Sequence, residues 1–166
     1  MKLSKQKEAE ALFNLGTYYS KGIGVERNEI DAAKWFRKSA ELGHVEAAFR
    51  LAVAFARGLG VKQSRTNAVT WYLKAAKQGH ADAQYNLGYY YANGLGRRQS
   101  YAKAAKWYLK AAEQGHHRAQ WSLGILYKKG RGMAVNLIEA EKWFRKSAAQ
   151  GDPLAQDQLK SLPSSV

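Results

Sequence analysis

The sequence predicts an all-α fold: a right-handed α/α solenoid of four 36-residue helix-turn-helix repeats closed by a C-terminal capping helix. Three observations carry that expectation. Trp35, Trp71, Trp107 and Trp143 stand 36 residues apart. Cutting the chain at that interval gives 9–44, 45–80, 81–116 and 117–152, which align without a gap. Paired glycines then divide each block into two stretches of helical periodicity. Self-similarity at a period of about 20–50 residues is the signature of a repeat array, in which each unit buries its apolar face against its neighbours.

The first helix of each block follows from its apolar spacing. Leu12, Leu15, Gly16 and Tyr19 fall at i, i+3, i+4 and i+7, on one helical face. Leu51, Leu87 and Leu123 repeat Leu15, and Phe55, Tyr91 and Tyr127 repeat Tyr19. Gly22 and Gly24 then stop the helix, as do Gly58/Gly60, Gly94/Gly96 and Gly130/Gly132, because glycine accepts the left-handed cap conformation.

The second helix opens at Asn28, Ser64, Ser100 or Asn136, side chains that accept a hydrogen bond from a free first-turn N–H. Asn28 with Asp31, and Asn136 with Glu139, resemble a capping box. Ala32, Trp35 and Ser39 are expected to form the buried stripe, which makes the four ladder tryptophans core residues. Gly43, Gly79, Gly115 and Gly151 end the helix. Gly16, Ala52, Gly88 and Gly124 share one position. A glycine inside a helix costs about 1 kcal/mol against alanine, so its recurrence marks a notch for an aromatic ring of the facing helix.

After Asp152 a fifth, partial block begins. Ala155 and Leu159 keep the pattern, while Asp157 and Lys160 replace the aromatic and the notch residue. A polar outer face is what a terminal cap needs. Pro153 suits its first turn, and Pro163 is expected to end it. Residues 1–166 therefore read as one elongated domain.

The net charge is +14 and uneven. The first block is neutral, and the next three carry +5, +3 and +4. Lys62 and Arg65, Arg97 and Arg98, and Lys128 and Arg131 cluster near the turns between helices. Stacked side by side, these turns would form a basic edge that attracts an acidic protein, a nucleic acid or an anionic surface. A solvated face that only keeps the chain soluble reads the same way.

The blocks resemble Sel1-like repeats, relatives of the tetratricopeptide repeat. Ala81–His116 carries the resemblance most fully, with ADAQYNLGYYYANGLG followed by KAAKWYLKAAEQGH. The turn valine, present at Val25 and Val61, becomes Arg97 and Met133. The cysteines of the disulfide-bonded secreted branch are absent. The resemblance implies an α-helical solenoid, commonly bacterial, that serves as an adaptor or scaffold in protein complexes.

In the related tetratricopeptide fold the first helices line a concave groove. Carried over by position, the groove would hold Phe13, Phe49, Tyr85 and Trp121. Beside them would lie Thr17, Val53, Tyr89 and Ile125, with Arg57 and Lys129 on the rim. A second row is Glu10, Glu46, Asp82 and Arg118. These rows vary from block to block, as positions freed from packing do. An aromatic and basic groove suits a peptide with apolar anchors and acidic flanks. The aromatic row serves equally as core filling.

No catalytic constellation is expected. His44, His80 and His116 are each a full repeat apart, too far for a shared metal by simple stacking, since zinc holds its ligands within about 2.3 Å. The GxG turns follow helices and lack a third glycine, so they are no dinucleotide fingerprint. No cofactor is called for. The expected function is a protein-binding scaffold or adaptor. Polyanion or nucleic-acid binding along the basic edge is one alternative, and an immunity or inhibitor protein for an acidic partner is another. The chain is expected to be monomeric and to lack a membrane span. It would be cytoplasmic if Met1 is the natural start, and periplasmic or secreted if a leader was removed.

Overall fold

A computed structural model describes residues 2–162. Among them every regular element is an α-helix. Helices α1 (Lys2–Lys21), α3 (Val45–Arg57), α5 (Ala81–Asn93) and α7 (His117–Lys129) are the first helices of the four blocks. Helices α2 (Glu29–Glu41), α4 (Arg65–Lys77), α6 (Tyr101–Glu113) and α8 (Leu137–Ala148) are the second helices. The cap is α9 (Pro153–Lys160), which starts on Asp152, whose carboxylate accepts the Leu154 N–H at 3.0 Å. Pro163, expected to end the cap, lies outside the described residues. The chain gathers into two compact units divided between Ala83 and Gln84.

Each second helix begins on the side chain expected to cap it. Asn28 accepts from the N–H groups of Ile30 and Asp31, Ser64 from Asn67, Ser100 from Lys103 and Asn136 from Glu139. The capping box itself is not closed. The backbone amides of Asn28 and Asn136 donate instead to the carbonyls of Tyr19 and Tyr127, both at 3.0 Å. Ser64 and Ser100 do the same to Phe55 and Tyr91 at 2.9 Å. The bond a box would return to its own helix here ties the second helix to the first.

The two glycines of a turn have different causes. Gly58 and Gly130 are left-handed caps with φ of 75° and 62°. The second glycine makes room. A Cβ on Gly60 would fall onto the Glu29 carbonyl, and one on Gly132 onto the backbone of Tyr101 and Ala102. Within each unit, one block's turn thus rests directly on the start of the preceding block's second helix.

The notch is present, and the ring that fills it is not a tryptophan. Phe36 lies on Gly16, Tyr108 on Gly88 and Phe144 on Gly124, so close that a Cβ would meet a ring carbon at 2.6 Å in all three. Each of these rings follows a ladder tryptophan by one residue. Trp71 and Trp143 are buried, but Trp35 and Trp107 are only half-buried, which corrects the expected stripe. Helical geometry gives the reason. Ala32, Phe36 and Ala40 fall four apart on the inward line, and Trp35 stands at its border. A lysine three residues on covers the outer ring face: Lys38, Lys74, Lys110 and Lys146 lie 4.6, 3.9, 5.0 and 4.4 Å from the ring centroids of Trp35, Trp71, Trp107 and Trp143. Such contacts contribute about 0.5–1 kcal/mol at exposed sites.

The leucine row shows what stacking does. Leu51, Leu87 and Leu123 are 0–1% exposed, whereas Leu15 is 38% exposed. Helix α2 packs against α3, and α6 against α7. No helix among the described residues lies in the corresponding place against α1.

Candidate partner-binding face

The first helices carry a periodic constellation that begins with their histidine caps. The Nδ1 atoms of His44, His80 and His116 accept the N–H groups of Ala47, Ala83 and Ala119 at 3.1, 3.3 and 3.2 Å. An Nδ1 that accepts leaves the ring proton on Nε2. That Nε2–H donates to Glu10 from His44 at 3.0 Å and to Glu46 from His80 at 2.8 Å. Each imidazole also stacks on a ring of the first-helix row: His44 on Phe13 at 4.5 Å, His80 on Phe49 at 4.4 Å and His116 on Tyr85 at 4.6 Å.

The sequence spacing argued only against a shared metal at these histidines and gave them no capping role. A signal was available, because the acidic row and the histidine row change together in the fourth block, to Arg118 and Asp152.

Burial pushes the Glu46 carboxyl up, but the hydrogen bonds from His80 and Arg50, with their charges, outweigh it and hold it below its ordinary value. Burial, and after it the neighbouring Tyr85 hydroxyl, raises the Tyr108 hydroxyl well above the ordinary phenol range.

In the first unit a hollow of about 380 Å³ is lined from α1 by Phe13, Thr17 and Lys21 and from α3 by Arg50, Val53 and Arg57. Four of the expected groove residues, Phe13, Thr17, Val53 and Arg57, thus meet around one space. Phe49 does not line it and is engaged with His80. Arg50 is paired with Glu46 at 2.7 Å, while Lys21 and Arg57 have no carboxylate within ion-pair reach among the described residues.

In the second unit Tyr85 and Trp121 line a hollow of about 500 Å³ together with His117, Arg118 and Leu154. Tyr89 is exposed, with its ring edge-on to Tyr90 at 6.3 Å. Ile125 is half-buried and Lys129 exposed, and neither lines the hollow.

The expected basic residues divide by environment. Lys62, Arg65, Arg98 and Arg131 are exposed. Arg131 lies over the Tyr101 ring at 5.2 Å. Arg97 is half-buried, donates to the Tyr91 hydroxyl at 2.7 Å, and has a buried Nε without an acceptor. Lys128 is tied to the cap, donating to Gln158 and Ser161 at 3.0 Å each. Folding back of Arg97 and Lys128 leaves fewer mobile cations at the turns than the sequence suggests.

No three of His, Asp and Glu gather around a possible metal among the described residues, and no helix there is long and apolar enough to cross a membrane.

The Sel1 repeat family model matches 9–44, 45–80, 81–116 and 117–152, the same four blocks. No curated protein matches. Among solved structures, a Sel1 repeat protein from Oxalobacter formigenes is 37% identical with a TM-score of 0.90, over 94% of this chain and 64% of that one. The protective antigen c5321 of uropathogenic Escherichia coli, which displays the same repeat fold, is 41% identical with a TM-score of 0.87, over 92% of this chain and 33% of that one. This chain therefore spans about two thirds of the first and one third of the second. The Helicobacter pylori cysteine-rich protein B shares the fold at 22% identity, with a TM-score of 0.61 over 76% of this chain and 96% of that one.

Proposed function

The chain belongs to the Sel1 repeat family, and from that premise we propose that it is a scaffold that holds a partner protein on the faces of its first helices. Sel1 repeat proteins are in general scaffolds for protein interaction. The single observation that carries the reading is the hollow between α1 and α3. There Phe13 and Val53 offer apolar surface beside two unpaired cations, Lys21 and Arg57. Apolar anchors ringed by charge are what a peptide with acidic flanks requires. The net charge of +14 speeds the approach of an acidic partner and makes that approach salt-dependent.

Affinity capture tests this reading. Val53→Glu with Arg57→Glu, and separately Tyr89→Ala with Trp121→Ala, should each release a partner held by the native chain while the variants still melt cooperatively. A partner retained by both folded variants would place the binding surface elsewhere.

A further inference from the structure

The fourth block breaks a rule that the others keep. In blocks one to three an imidazole covers the first-helix ring at 4.4–4.6 Å, and in the first two its Nε2–H meets the acid of the neighbouring row. In block four the acid has become Arg118 and the imidazole Asp152. The cap is kept, since one Asp152 carboxylate oxygen accepts from Leu154 N–H at 3.0 Å and the other from Ser147 Oγ at 2.9 Å. The cover is not kept. No ring stacks on Trp121 among the described residues, and its indole N–H has no acceptor. Arg118 is exposed and has no carboxylate partner among the described residues. The hollow of about 500 Å³ opens over these side chains.

We propose that this hollow is a subsite for a planar aromatic side chain with a carboxylate beside it, presented by the partner. Blocks one and two show what such a position accommodates: a flat ring laid on the first-helix ring, with a hydrogen bond to a carboxylate at its edge. Block four supplies the lower ring, Trp121, and an exposed arginine at the edge; Asp152 also lines the hollow, but Leu154 N–H and Ser147 Oγ engage its two carboxylate oxygens, which leaves Arg118 as the group open to a guest. The guest must therefore bring a ring and a negative group. The indole of Trp121 offers a broad flat face for an offset stack, and a guanidinium is the group that grips a carboxylate bidentately. The neighbouring Tyr85 and the α9 residue Leu154 give the guest apolar walls.

This subsite rests on the scaffold reading for its partner, but its chemistry can be tested alone. The probe is a labelled peptide, Gly-Asp-Phe-Glu-Gly, titrated into the full chain by fluorescence anisotropy at low salt. Leu in place of Phe should weaken binding about tenfold, and Lys in place of both acids should abolish it. Arg118→Gln, an exposed change that leaves the fold alone, should also weaken binding at least about tenfold, the size of one lost charge-assisted hydrogen bond. The double change Arg118→Glu with Asp152→His rebuilds the acid–imidazole pair of blocks one and two. It should close the site and abolish binding without lowering the melting temperature.

Equal binding of all three peptides, or binding unchanged by Arg118→Gln, would overturn the subsite. A partner released by Val53→Glu, from a chain whose peptide binding ignores Arg118, would keep the scaffold and remove the subsite. Peptide binding that needs Arg118, in a chain that holds no partner through either hollow, would keep the subsite and remove the scaffold.

Discussion

Phe144 rests on Gly124 so closely that a Cβ there would lie 2.6 Å from the ring, and Phe36 on Gly16 and Tyr108 on Gly88 repeat the contact. The second block has Ala52 in that place, and Tyr72 at the position of the ring. Gly124→Ala gains about 1 kcal/mol of helix propensity but overpacks the core, which costs about 1–3 kcal/mol. The expected net loss is roughly 1 kcal/mol, read from the urea midpoint at unchanged slope. A gain in stability, as at an exposed helical glycine, would mean that the ring has room. Ala52→Gly should also destabilise, by about 1 kcal/mol from propensity alone.

Gly24 and Gly60 hold the same place in successive blocks and have φ of 70° and 65°. Nothing lies within 4 Å of a Cβ on Gly24, whereas one on Gly60 would strike the Glu29 carbonyl. Gly24→Ala should cost only the left-handed penalty, about 1–2 kcal/mol. Gly60→Ala should cost clearly more, because backbone must move. Equal thermal shifts for the two variants would contradict the close approach of turn and helix.

Most of the fold was legible in the sequence. The period, the two helices per block, the N-caps and the notch all follow from residues that packing forces to recur. The repeat spacing left open which aromatic ring fills the notch, and it misjudged the burial of Trp35 and Trp107, because the inward line runs through Phe36 and Tyr108 instead. The candidate site was less legible. Phe13, Thr17, Val53 and Arg57 do share one hollow, but the folding back of Arg97 onto Tyr91 depends on the path of the turn that joins the two helices of its block, and that of Lys128 on the packing of the cap against α7. No spacing within one block announces them. The histidine network was harder to read because the acid that meets His80 lies 34 residues earlier in the same block, at Glu46, and only the fold brings the two ends of the block together.

His80 caps α5, bonds Glu46 and stacks on Phe49 at once. His80→Ala should cost about 1–2 kcal/mol for the cap and about 0.5–1.5 kcal/mol for the ring contact. His80→Asn should restore the cap share only. Chemical denaturation of the three proteins separates the two contributions, and a variant series with identical midpoints would show that the histidine is idle.

Glu46 makes one step of the pH dependence. Its folded pKa lies below its ordinary value of 4.5, because hydrogen bonds and charge from His80 and Arg50 outweigh burial. A depressed carboxylate stabilises the fold above its unfolded pKa, and that contribution is lost as pH falls from the ordinary value through the folded one. Glu46→Gln should therefore flatten the loss of stability just below pH 4.5 and leave the neutral-to-alkaline limb unchanged. A profile with undiminished acid slope in the variant would deny the pair.

The most direct measurement is partner capture by the native chain and by Val53→Glu with Arg57→Glu, each first shown to melt cooperatively. Loss of the partner from the folded variant is the expected result, because the hollow between α1 and α3 would then present carboxylates where it offered apolar surface and a cation. Undiminished capture would show that the first-helix faces are not where this repeat protein holds its partner.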